Sequence, residues 1–147
     1  MQEDILPDII KIITNKTSLK LKLFEKLKVV FNQLRETAEK VLTEIKSSLP
    51  PSASNVMLEL INVNDFYFRM RIGGETLSTI MHSNIHMLPP HHYMWNTSYL
   101  KENPLNAFCG LIYIYNFLND SFLYNREEDS GELITRIYIN HELHFFT

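Results

Sequence analysis

The chain has 147 residues, of which 45% are hydrophobic and 21% are charged, values that are typical of one globular domain and exclude a disordered chain. Its formal net charge of −3 disfavours a nucleic-acid partner, because such domains usually carry a strongly basic face. One cysteine, Cys109, excludes an internal disulfide.

The sequence favours the cytoplasm. The N-terminus, MQEDILPD, carries acidic residues where a secretory signal carries lysine or arginine. The longest apolar run, residues 107–118, is shorter than the roughly 18 residues that a membrane span requires. We therefore expect a cytoplasmic protein without a membrane partner.

The N-terminal third shows helical spacing of apolar residues. Leu6, Ile9 and Ile13 predict a short helix over residues 5–14. A second pattern predicts one amphipathic helix from Ser18 to about Ser48, roughly 45 Å long, which ends before Pro50. A helix of this length extends beyond a small domain, so we expect its excess apolar stripe to form a homodimer interface. The expected interface residues are Leu27, Val30, Leu34, Val41 and Ile45.

The apolar period changes from 3.6 to 2 after the prolines. The runs NVMLELI, FYFRMRI and ETLSTIM predict three antiparallel strands, with Gly73-Gly74 as a two-residue turn. That turn places Met70 opposite Leu77 and Arg69 opposite Ser78. A three-residue loop at residues 63–65 would place Leu60 beside Phe68 and Glu59 beside Arg69.

The remaining segments are less uniform. Residues 104–118 begin like a helix, with Asn103 as cap and Pro104 at the first position, yet their later residues are β-branched and aromatic. We expect a short helix over 104–109 that runs into a strand. ELITRIYIN, residues 132–140, predicts a further strand.

Together these patterns predict an α+β fold. N-terminal helices, including the long helix of about 18–48, pack on a mostly antiparallel sheet formed by residues 55–147. We expect a single domain over 1–147, with a helical part at 1–49, a Pro/Ser linker at 50–54 and a β-rich part at 55–147.

The predicted sheet carries a stripe of arginine and tyrosine on its non-core face. If the strands that hold Arg69 and Arg136 are neighbours, the stripe forms a patch suited to an anion or to a base stacked on tyrosine. The alternative is that Glu59 pairs with Arg69 and the face is covered by the long helix or by solvent. The candidate ligand-binding residues are Tyr67, Arg69, Arg71, His82, Arg136 and Tyr138.

Four of the six histidines lie within eleven positions. They are His82, His86, His91 and His92. They favour a polar, partly exposed connection; a divalent metal held by all four is the minority hypothesis, since zinc-motif spacing is absent. A third alternative is one histidine used as an acid, a base or a hydrogen-bond donor.

Two further sequence features disfavour catalysis. NHELHFF is one residue short of the zinc-protease signature, and on a strand His141 and His144 would point to opposite faces. Cys109 sits among apolar residues, which predicts a buried structural thiol.

Our leading functional hypothesis is a non-enzymatic binding and assembly module without a cofactor. It would form a dimer through the long helix and present the Arg/Tyr face to a protein or to an anionic small molecule. One alternative is a small enzyme or ligand-binding domain, metal-dependent or not, built from the histidine loop and the Arg/Tyr stripe. A second alternative is single-stranded nucleic-acid binding on the sheet.

Overall fold

The computed structural model describes residues 5–147. Its helices are α1 (Leu6–Ile12), α2 (Ser18–Ser48), α3 (Ser98–Glu102) and α4 (Asn119–Leu123), and a π-helical turn (Ile13–Thr17) joins α1 to α2. Its strands are β1 (Leu58–Asn64), β2 (Tyr67–Ile72), β3 (Glu75–Met81), β4 (His86–Met87), β5 (Phe108–Leu118), β6 (Glu132–Asn140) and β7 (Phe145–Phe146).

The predicted α+β fold is confirmed: a long N-terminal helix precedes an antiparallel sheet and packs on one of its faces. The expectation of two separate helices is wrong, because α1 and α2 run on through the π-turn. No glycine or proline separates Ile13 from Ser18, so nothing in the sequence breaks the helix. Leu49 ends it in an extended conformation, as a residue before proline must.

The sheet has the strand order β1-β2-β3-β5-β6-β7, and β4 also pairs with β5. The predicted register of β2 with β3 is confirmed, with Met70 opposite Leu77 and Arg69 opposite Ser78. Gly73 has a φ of 59°, the positive value that a type II′ turn needs at its first central residue.

The predicted register of β1 with β2 is wrong by two residues. Leu60 lies opposite Met70, and Glu59 lies opposite Arg71. A β-bulge between Asn62 and Asn64 takes up one residue and leaves a shorter turn. Because the shift is even, each side chain still lies on the predicted face of the sheet.

The main core lies between α2 and the sheet. Leu23, Leu27 and Phe31 of α2 are fully buried, and the Phe31 ring packs on that of Phe68 at a centroid distance of 5.4 Å. Gly110 of β5 lies directly beneath Leu27, where any Cβ atom would overlap the leucine side chain. The missing side chain lets the helix approach the sheet closely.

A smaller core covers one end of the opposite sheet face, which we call the second face. The connection between β4 and β5 folds over it and buries Leu88, Leu100 and Cys109. The start of residues 104–118 is a single 3-10 turn, Pro104–Ala107, with the Asn103 side chain accepting a hydrogen bond from the backbone N–H of Leu105. The expected helix-to-strand transition is therefore present, with a shorter helical part.

Candidate functional site

The second face carries a row of aromatic rings along β5, in the central part that the smaller core leaves uncovered. Tyr113, Tyr115 and Phe117 are half-buried, and successive rings lie 6.1 and 6.3 Å apart. The row follows from alternation along β5, which places every second residue on the same face. The ambiguity of residues 104–118 between helix and strand hid this row from the sequence analysis.

Arginines flank the aromatic row on both sides but do not form one patch. Arg69 and Arg71 lie on β2, whereas Arg136 lies on β6, and two strands separate β2 from β6. At the normal strand spacing this places them about 14 Å apart. The condition for a single patch, that the two strands are neighbours, is not met, because residues 108–118 form a strand that inserts between β3 and β6.

Arg69 and Arg71 line a cleft between the second face and α4. The cleft has a volume of about 160 Å³ and is lined by Ile61, Arg69, Arg71, Thr76, Asn119, Phe122 and Leu123. The Arg69 guanidinium carbon lies 4.4 Å from the centroid of the Phe122 ring, which covers it. Arg71 approaches the Glu59 carboxylate at 3.9 Å, so Glu59 pairs with Arg71 and not, as expected, with Arg69.

Tyr67 and Tyr138 lie on separate strands of the second face, β2 and β6. The Tyr67 hydroxyl lies within hydrogen-bond distance of the Ser78 hydroxyl, at 3.2 Å, beside Arg69. The Tyr138 ring stacks on Phe146 at 5.2 Å within the smaller core. Tyr138 therefore supports the packing of β7, and Tyr67 stays close to the cleft.

His82 and His86 form a hydrogen-bonded pair. The His86 Nε2 atom lies 3.2 Å from the His82 Nδ1 atom, which also accepts a hydrogen bond from the backbone N–H of Asn84. Both bonds require the His82 Nδ1 to be unprotonated. Burial, the neighbouring His82 and then Lys20 hold the pKa of His86 below its usual value of 6.5.

The other two histidines of the loop lie elsewhere. His92 packs against Tyr93, Tyr138 and Phe146, and His91 is exposed. Within residues 5–147, no group of three or more His, Cys, Asp or Glu side chains is placed to hold a metal ion. The four imidazoles of the metal hypothesis therefore do not converge.

The site of the alternative enzyme hypothesis is brought together only in part. The His82 ring lies 6.4 Å from the Tyr113 ring, over which the Arg136 guanidinium lies at 5.7 Å. Arg71 lies on the same face but is separated from Arg136 by two strands, in the cleft beneath α4. His82 and the arginine pair Arg69 and Arg71 thus lie in different parts of the second face.

A polar network holds the C-terminal turn against the segment that contains α3. The Asn140 side chain donates to the Tyr99 hydroxyl at 2.6 Å, and that hydroxyl also contacts Glu142 and His144. Burial, followed by the hydrogen bond to Glu142, raises the pKa of Tyr99 to about 12, so the phenol keeps its proton.

The HELH residues lie in a turn after β6, and not on a strand as expected. Leu143 adopts a positive φ of 62°, and the Asn140 N–H donates to the His144 carbonyl at 3.0 Å. His141 hydrogen-bonds to Asn106, whereas His144 contacts Tyr99. The two imidazoles therefore have different partners, and both support the local structure.

Cys109 is buried, as predicted. Only 1% of its surface is exposed, and burial raises the pKa of its thiol to about 12. A thiol in this setting carries no thiolate at neutral pH and is unreactive.

The first part of the long helix, Leu6–Thr17, has no buried residue, and we call it the overhang. Its large apolar side chains are 47–67% exposed, together with that of the preceding Ile5. A π-turn holds one residue more than an α-turn, which rotates the apolar face of α1 by about 100° relative to the buried stripe of α2. The exposed apolar residues are Ile5, Leu6, Ile9, Ile10, Ile12 and Ile13.

The expected interface residues of α2 fall into three groups. Leu27 is fully buried against Gly110 and has no exposed surface that a second chain could contact, so it is not an interface residue. Val30 and Leu34 are half-buried and line an apolar groove of about 160 Å³ beside β6. Val41 and Ile45 are exposed on the last turns of α2.

Comparison of the chain with family models, with curated proteins and with solved structures finds no match. Within residues 5–147, the helices all fall short of the length and hydropathy that crossing a membrane requires.

Proposed function

We propose that this protein is a non-enzymatic binding and assembly module. It self-associates through the overhang and presents the Arg/Tyr side of its sheet to an anionic partner. The observation that carries the proposal is the overhang itself, a helical segment with five exposed large apolar side chains and no buried residue, preceded by the exposed Ile5. An isolated helix of about twelve residues is marginal in water, so packing against a partner would stabilise it.

The area of the overhang is sufficient for a dimer. Each exposed isoleucine or leucine leaves about 100 Å² uncovered, so full burial of the overhang and Ile5 in two copies would cover about 1,200 Å² in total, the lower end of stable interfaces. A second copy of the chain supplies the same apolar face, and a two-fold axis brings the two faces together.

Charge favours an antiparallel arrangement of the two copies. Lys16, Lys20 and Lys22 follow the apolar part of the overhang, and the cations Lys26 and Lys28 continue the series. Parallel helices would bring these lysines together, whereas antiparallel helices place them at opposite ends of the interface. The proposed dimer therefore pairs Ile9 and Ile13 of one chain with the same segment of the other in opposite directions.

Sedimentation velocity over a concentration series tests this proposal. The wild-type protein is expected to shift from monomer to dimer, and the double variant Ile9→Gln/Ile13→Gln is expected to stay monomeric. Val29→Gln is the matched control, since Val29 is 58% exposed on α2 outside the overhang. A wild-type monomer at every concentration contradicts the proposal, as does a monomer that binds anionic lipid vesicles through the overhang.

The aromatic row favours a second candidate function, single-stranded nucleic-acid binding on the second face. Tyr113, Tyr115 and Phe117 offer flat surfaces on which bases stack, and arginines lie on both sides. The net charge of −3 opposes this function. Binding of a single-stranded oligonucleotide that weakens steeply with salt would support it, and absent or salt-independent binding would dismiss it.

A further inference from the structure

The cleft beneath α4 holds two arginines whose Nε donors are not used. Within residues 5–147, the Nε atoms of Arg69 and Arg71 are buried and lack a hydrogen-bond partner. Native proteins pair nearly all buried polar atoms, and an unpaired donor of a charged group costs more than a neutral one. Two such donors in one small cleft point to a missing acceptor.

The chain itself supplies only a weak acceptor. Glu59 lies 3.9 Å from Arg71, beyond normal hydrogen-bond distance, and its side chain is half exposed. Arg69 is covered by the Phe122 ring, which restricts its motion without offering an acceptor. Thr76, which is buried, and Asn119 also line the cleft, and their side chains make a long contact of 3.5 Å with each other.

We propose that this cleft binds the phosphate group of a small ligand. Two guanidinium groups donate through Nε and Nη to oxygen atoms in the fork geometry that suits phosphate. Two arginines and one glutamate leave a net positive charge, and a doubly charged phosphate competes with Glu59 better than a monocarboxylate does. The volume of about 160 Å³ admits one such group but not a large ligand.

The inference deepens the anionic half of the proposed function, because it names the group that the Arg/Tyr side of the sheet recognises. It assigns binding to Arg69 and Arg71 and excludes Arg136, which lies on β6 beyond the aromatic row. Self-association through the overhang is a separate surface and is not needed for it.

Titration of the isotope-labelled protein with inorganic phosphate at constant ionic strength, followed by amide chemical shifts, tests the inference. Saturable shifts are expected at β2 and α4. Arg71→Gln is expected to weaken binding by about tenfold or more, the effect of losing a charged hydrogen-bond donor. The matched control Arg136→Gln removes an arginine from the same face and is expected to leave binding unchanged. Acetate is expected to bind more weakly than phosphate.

A second variant keeps the test decisive if Arg69 or Arg71 variants fold poorly. Leu123 lines the cleft and is 60% exposed, so Leu123→Glu should be tolerated and should bring a competing carboxylate to the arginines. This variant is expected to lose phosphate binding. Absence of saturable shifts, equal binding of acetate, or equal weakening by Arg136→Gln would overturn the inference.

Sedimentation of the same samples separates this inference from the assembly proposal. A dimer that does not bind phosphate contradicts the cleft alone. A monomer that binds phosphate at β2 and α4 contradicts the assembly proposal alone.

Discussion

Two parts of one helix have the same kind of sequence and opposite environments. From Leu23 to Phe31, α2 buries its apolar stripe against the sheet, whereas the overhang exposes every large apolar side chain it has. Both parts repeat apolar residues at intervals of three and four. Helical spacing thus predicts which face is apolar, and the length of the sheet decides which part of that face is covered.

The largest expected difference between the two parts is in stability. Leu27→Ala should lower the free energy of unfolding by about 2–5 kcal/mol, because it leaves a cavity over β5. Ile9→Ala should change it by no more than about 0.5 kcal/mol when measured on the monomer. Chemical denaturation at low protein concentration measures both, and equal costs would show that the overhang packs on its own chain.

A smaller effect is expected where α2 approaches the sheet most closely. Gly110→Ala should cost about 1–3 kcal/mol, because the added Cβ overlaps the fully buried Leu27 side chain and must displace it. Gly74→Ala is the control, since a Cβ at Gly74 meets no atom within 4 Å. A neutral Gly110→Ala would mean that α2 shifts away from β5 easily.

The smallest expected effect is the pH dependence that His86 confers, since burial, then His82 and then Lys20 of α2 lower its pKa. The folded-state pKa of His86 lies below its unfolded value, so the unfolded chain binds more protons between the two values. Stability is therefore full above about pH 6.5 and falls as the pH decreases through the folded-state pKa.

His86→Gln should flatten this dependence, since glutamine does not titrate and its amide can donate to His82 Nδ1. Denaturation curves of wild type and variant at neutral and mildly acidic pH measure the difference. An equal loss of stability in wild type and variant between the two pH values would show that His86 is not the group responsible.

The sequence predicted single turns and strands better than it predicted which residues pair or pack with one another. The turn at Gly73 determined the register of β2 with β3, because a two-residue turn allows only one pairing of the two strands. The bulge near Val63 was not predictable, since no glycine or special residue marks it. Phe31 was overlooked in favour of its neighbour Val30, although Phe31 is the fully buried one of the two.

The candidate site was predicted in pieces. Alternation along β2 placed Tyr67, Arg69 and Arg71 on one face, as the structure has them. What joins that face to other elements depends on strand order and on α4, neither of which periodicity determines. The cleft therefore combines predicted arginines with Phe122 and Leu123, which carried no signal in the sequence.

Hydrogen exchange of the overhang amides at low and high protein concentration tests the central claim most directly. An uncovered short helix opens readily, and packing against a second copy protects it. We expect exchange of Leu6–Thr17 to slow markedly as the concentration rises, while the amides of Leu23–Phe31 stay protected throughout. Equally fast exchange of the overhang at every concentration would contradict self-association through this segment.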